Sequence, residues 1–101
     1  MNKVKVFKMI NGEEIISEVF NHYENHFELK NPANIMLQQT PGGQMGVGIA
    51  PYMPYASGNV SLYKNAIAAE AEPEQNMINE YNRIFGSGIE IVSAGALAGL
   101  K

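Results

Sequence analysis

The chain has 101 residues, no cysteine, a 46% apolar share and a formal charge of −3. That length fits one domain with a small core. The mild acidity excludes the basic footprint of a strong nucleic-acid binder, and the absence of thiols excludes a disulfide framework and thiolate chemistry, as suits a reducing cytoplasm. No apolar run nears the roughly 20 residues that span a bilayer, and Lys3, Lys5 and Lys8 interrupt the stretch where a signal peptide would need its apolar region. A cytoplasmic protein without membrane contact is expected.

The first strand is expected over 3–10, with Val4, Val6 and Ile10 on one face and Lys3, Lys5, Phe7 and Met9 on the other. Asn11-Gly12 then predicts a hairpin, because a two-residue turn of this kind needs φ > 0 at both positions. The second strand spans 13–23. Apolar residues in both phases near the turn, Ile15 and Ile16 first, predict burial on two sides. Glu24-Asn25 turns the chain again. The third strand spans 26–39, with Phe27 and Leu29 pointing one way and Glu28 and Lys30 the other. Asn31-Pro32 interrupts its ladder, since proline has no N–H to donate.

Thr40-Pro41-Gly42-Gly43 is a turn signal, after which a strand over 45–50 hairpins back onto 35–39. Short strands at 60–63 and 66–71 flank Lys64-Asn65. No long helix separates any of these segments, so the sheet is antiparallel. At Pro73 the period changes. Proline suits a first helical position, with Glu72 and Glu74 beside it. Met77, Ile78, Tyr81, Ile84 and Phe85 form one apolar stripe, and Gly86 is a natural C-cap. A short strand at 89–92 is expected within a small-residue tail over 87–101.

This order of elements resembles the Sm/LSm-like family. Gly12 matches the glycine that opens the family's second strand. Lys30-Asn31 after Phe27 and Leu29 is similar to the end of its first motif. Val60-Ser61-Leu62-Tyr63, Lys64-Asn65 and Ile67 are similar to its second. Residues 3–72 carry the likeness. It looks nearest to the small Sm-like proteins of phages and marine metagenomes, which carry a Gly/Pro-aromatic segment and a terminal helix; here those are APYMPYA and Glu72-Pro73-Glu74 to Gly86. The chain departs from the pattern in three places. A strand stands where the family has an N-terminal helix. Lys64-Asn65 replaces Arg-Gly, and Tyr23, Asn25 and His26 occupy the first-motif loop in place of Asp and Asn.

The resemblance implies a mainly β fold: a small, strongly bent, five-stranded antiparallel Sm-like barrel over 1–73. A C-terminal amphipathic helix over 74–86 would pack on the barrel or on a neighbouring subunit. It also implies a homo-oligomeric ring of five to seven subunits, closed by strand addition at raw sheet edges, and two loops meeting at one pore. Tyr23, Asn25, His26, Lys64 and Asn65 would there hold single-stranded RNA by stacking, amide contacts and a cation.

Exposed aromatics and methionine on a rigid proline-bounded piece suit a protein contact. Tyr52, Met53 and Tyr55, with Val60, Leu62 and Ile67, are therefore the expected interface. The alternative reading is a scaffold or adaptor for another protein, possessing no RNA affinity and using 52–55 and the last helix. His22 and His26, with Glu24 or Glu28, read as solvated turn residues rather than metal ligands. Glu13, Glu14 and Glu18 read as a solvated strand face rather than an acid–base pair. No P-loop, dinucleotide loop or Ser/His/Asp grouping is present. No enzyme, cofactor or metal is expected.

Overall fold

The computed structural model describes residues 3–86, and the expected strand at 89–92 lies outside them. Six strands, a 3-10 turn and one helix follow in order: β1 (Lys3–Met9), β2 (Glu14–His22), β3 (His26–Gln39), β4 (Met45–Pro51), β5 (Val60–Tyr63), the turn Lys64–Ala66, β6 (Ile67–Ala71) and α1 (Gln75–Phe85). All pairings are antiparallel, in the order β4-β3-β2-β1-β6, with β5 beside the first half of β3. The mainly β antiparallel architecture with one C-terminal helix is therefore as the sequence predicts. The sheet has the six strands that the residues predict, one more than the five the resemblance implies. It is not closed into a barrel, since no ladder joins β5 to β6.

The Asn11-Gly12 turn differs from expectation in type. Gly12 alone takes positive φ, at 95°. The loop is Ile10-Asn11-Gly12, closed by Met9 N–H to the Glu13 carbonyl (2.8 Å) and Gly12 N–H to the Met9 carbonyl (2.9 Å). In a three-residue loop only the last position needs the left-handed conformation. Asn11 instead uses Oδ1 to accept the Glu13 N–H at 3.0 Å. Ile10 falls in this loop and is 69% exposed, so it does not share a strand face with Val4 and Val6.

Asn31-Pro32 bends β3 without ending it. Ile16 pairs with Ala33 and Glu18 with Lys30, so two residues of β3 face Ser17 alone. That bulge places Asn31 at φ 54°, a left-handed conformation asparagine tolerates. The Pro32 carbonyl accepts the Tyr52 N–H at 2.8 Å. A second bulge, at Phe20, adds one residue to β2.

The sheet buries both faces. On one side Phe7, Met9, Ile15, Phe27, Leu29 and Leu62 form a cluster. On the other Ile16, Ala33 and Tyr81 pack with Val4, Val6, Ile35, Ile49, Met77 and Phe85. Adjacent residues Ile15 and Ile16 thus feed opposite cores, because successive strand side chains alternate. The helix stripe supplies the second core through Tyr81, fully buried, and its C-terminus is capped by Gly86 at φ 65°, whose N–H reaches the Asn82 carbonyl at 2.7 Å. The helix begins at Gln75 with Glu74 as N-cap. Pro73 therefore stands one residue before the cap, while Glu72 pairs with Lys3 instead of the helix end.

Tyr81 also overturns one surface expectation. Glu18 is only 8% exposed, so it does not belong to a solvated face with Glu13 and Glu14. Its N–H donates to the Tyr81 hydroxyl at 3.1 Å, and that hydroxyl lies 2.8 Å from both the Lys30 and Asn31 carbonyls. Ser17 Oγ reaches the same Lys30 carbonyl at 3.1 Å. The helix is pinned to the bulge by this buried set, which satisfies groups that a broken ladder leaves behind.

Candidate nucleic-acid interface

At one end of the sheet, the β2–β3 hairpin tip meets the turn that follows β5. The hairpin closes by Tyr23 N–H to the His26 carbonyl at 2.8 Å, and Lys64 N–H donates to the Asn25 carbonyl at 3.0 Å. β5 lies beside β3 with Tyr63 opposite His26 and Leu62 opposite Phe27. Two loops forty residues apart in sequence are thereby held as one surface.

Four of the five residues expected at an RNA site meet there. Tyr23 stacks on His26 (centroids 4.7 Å apart, 22° between planes), and Tyr63 leans on the same imidazole at 5.3 Å and 41°. The Asn25 side-chain oxygen lies 2.6 Å from His26 Nδ1. If the ring is neutral, this contact places its proton on Nδ1 and leaves Nε2 as the acceptor. Lys64 Nζ stands 5.2 Å from the Phe27 centroid. Asn65 is the next residue of the 3-10 turn and is exposed. Tyr23 and Tyr63 remain 46% and 52% exposed, which leaves aromatic surface for a further flat group.

Three participants escaped the sequence reading. Tyr63 is one; its signal was an aromatic at an outward strand position just before the lysine turn. His22, expected as a solvated turn residue, is exposed as expected but ends β2 and stacks on Phe27 at 4.4 Å and 20°. Lys5 Nζ lies 5.6 Å from the Phe27 ring, but it also pairs with Glu70 across β1 and β6. Phe27 is itself buried, so it serves as the floor on which the histidine and the two lysines rest.

Carboxylates border this end as well: Glu24 is exposed in the hairpin tip itself, and Glu28 stands on β3. Glu28 accepts from Asn59 at 3.0 Å and from Asn21 at 3.1 Å. The Asn59 contact first, then that of Asn21, holds its carboxyl below the usual range, so it stays negative. The surface therefore offers stacking faces, amides and the Lys64 cation, with Lys5 already paired to Glu70 and the carboxylates of Glu24 and Glu28 beside them. Among the described residues no group of three or more His, Cys, Asp or Glu is assembled to hold a metal ion.

The residues expected at a protein interface are divided. Tyr55 is 83% exposed. Met53 is half-buried in a cleft of about 260 Å³ with Pro51, Pro54 and Phe85. Tyr52 and Ile67 pack against the first core, and burial pushes the Tyr52 hydroxyl up from its ordinary value. Leu62 lies inside that core at 6% exposure, and Val60 pairs with Leu29. The inward turn of Leu62 follows from its even phase on β5, which puts Ser61 and Tyr63 outside. No helix among the described residues is long and apolar enough to cross a membrane. In comparison with known proteins, no family model matches the chain and no curated protein is similar to it.

Proposed function

We propose that the chain is a non-catalytic, Sm-like, ring-forming protein that binds single-stranded RNA at the aromatic end of its sheet. The observation that carries this reading is the juxtaposition of Tyr23, His26 and Tyr63 with Lys64 and Asn25. Bases of a single strand stack on such faces, amides reach their edges, and a lysine meets the phosphate. In this reading the sheet curls into a five-stranded barrel of β6, β1, β2, β3 and β5, with β4 as an added arm. Among the described residues, β5 pairs only with β3 and β6 only with β1. Strand addition between them would close a ring of five to seven copies in the cytoplasm.

The test is fluorescence anisotropy of labelled oligouridine over a salt series, with light scattering for mass. The expected result is binding that weakens with salt. His26→Ala should weaken it by about 5- to 150-fold, the equivalent of a lost stacking contact. Lys64→Ala should weaken it with a salt slope shallower by about 0.7. No affinity at low salt, or variants indistinguishable from wild type, would refute the reading. One observation favours a scaffold without RNA binding: Tyr55 is the most exposed aromatic and follows a proline. In that case Tyr55→Ala abolishes capture of a protein partner while oligouridine never binds.

A further inference from the structure

Strand β4 is the longest outer edge among the described strands and the least guarded. It pairs with β3 through seven residue pairs, and no described strand lies on its other side. Sheet edges are ordinarily blunted by charge, proline, bulges or shortness. The β6 edge follows this practice, carrying Glu70 and a bulge at Ala68, and β5 is four residues long. The β4 edge has only Pro51, at its very end.

The surrounding sequence is equally bare. No Asp, Glu, Lys, Arg or His occurs between residues 31 and 63, so all 7 basic and 10 acidic residues lie elsewhere in the chain. Two copies of a chain of charge −3 meet no like charge if they approach along this arm. The face it presents is apolar as well. Leu37, Met45 and Val47 are 73%, 63% and 50% exposed. They fall in the same phase as Ile35 and Ile49, which pack beneath the helix. The opposite phase holds Gly46 and Gly48, and a Cβ on Gly48 would lie 2.6 Å from Gln38 Cδ, so the Gln38 side chain lies flat across it.

We infer that β4 is a self-association surface on which a second copy pairs antiparallel, about a two-fold axis through Val47. The register follows from the side chains. Centred on Val47, the axis sets Val47 against its own copy and each Met45 against the partner's Ile49, so every pair on that face is apolar. A shift of one residue to either side breaks this match, setting Gly43 against Ile49 or Met45 against Pro51. The result is one sheet continuous across both copies, with β3-β4 of one beside β4-β3 of the other at its centre and one apolar stripe across the join. The contact is isologous. It is thus distinct from the β5-to-β6 contact of a ring and does not depend on it.

The chain has no cysteine, so one introduced thiol reports on contact between copies. Directly opposed strand residues have Cα atoms about 4.5–5.5 Å apart, within disulfide range. Val47→Cys under mild oxidation should give a covalent dimer about tenfold faster than Ser57→Cys, a control in the exposed loop between β4 and β5. Val47→Lys, at a half-exposed position, should keep the far-UV spectrum and thermal midpoint and halve the mass by light scattering. A Val47→Cys rate no faster than the control, or an unchanged mass for a folded Val47→Lys, would overturn the inference. A ring that fails to form leaves the Val47→Cys dimer intact, so failure of the two contacts is told apart.

Discussion

Tyr81→Phe removes one oxygen and leaves the ring in place, and it tests how the helix is held. In the wild type that hydroxyl accepts the Glu18 N–H at 3.1 Å and donates to the Lys30 or Asn31 carbonyl, each 2.8 Å away. The substitution deletes both bonds in a site with no solvent exposure. Net hydrogen bonds of this kind contribute about 0.5–1.5 kcal/mol each, so the loss should be about 1–3 kcal/mol. Ser17 Oγ still reaches the Lys30 carbonyl, which keeps the figure from rising further. For a domain of this size about 2 kcal/mol lowers the thermal midpoint by roughly 8–16 °C. Urea denaturation followed by far-UV circular dichroism measures it, with an unchanged slope showing that the folded state is as compact as before. Tyr81→Ala, which also empties the second core, sets the upper mark at about 3–5 kcal/mol. A Tyr81→Phe protein within about 0.5 kcal/mol of wild type would refute the claim that this hydroxyl ties helix to bulge.

Two pH effects follow from the same structure. Burial pushes the Tyr81 hydroxyl above its ordinary value of 10.0. The stability it contributes is therefore complete below about pH 10 and is lost as pH rises, because the unfolded chain ionises first; Tyr81→Phe should flatten that part of the alkaline fall in thermal midpoint. Glu28 runs the other way, held below its ordinary 4.5 first by Asn59 and then by Asn21. Its contribution is present above that value and is lost on acidification, so Glu28→Gln should show a smaller drop in midpoint on the acid side.

Much of the fold is readable from local chemistry. β3 and β5 have the limits that alternation and turn residues assign them, and Gly86 caps the helix because only a left-handed residue continues the chain there. What escapes is set by distant partners. Nothing near Glu18 in sequence announces burial; Tyr81, 63 residues on, covers it. Asn11 carries a hairpin signature, but the loop is one residue longer than that signature implies. At the candidate site, the Sm-like resemblance points to Tyr23, Asn25, His26, Lys64 and Asn65, whereas Tyr63 and Lys5 are found only once β5 and β1 are laid beside Phe27.

Ile15 and Ile16 make β2 a partition wall with furniture fixed to both sides. Adding or deleting a single residue between Gly12 and Ser17 would carry each isoleucine through the wall into the wrong room. Length changes in descendants of this chain should therefore collect in the 40–44 and 52–59 loops, while the span from Glu14 to Ala33 keeps its count and varies only in kind.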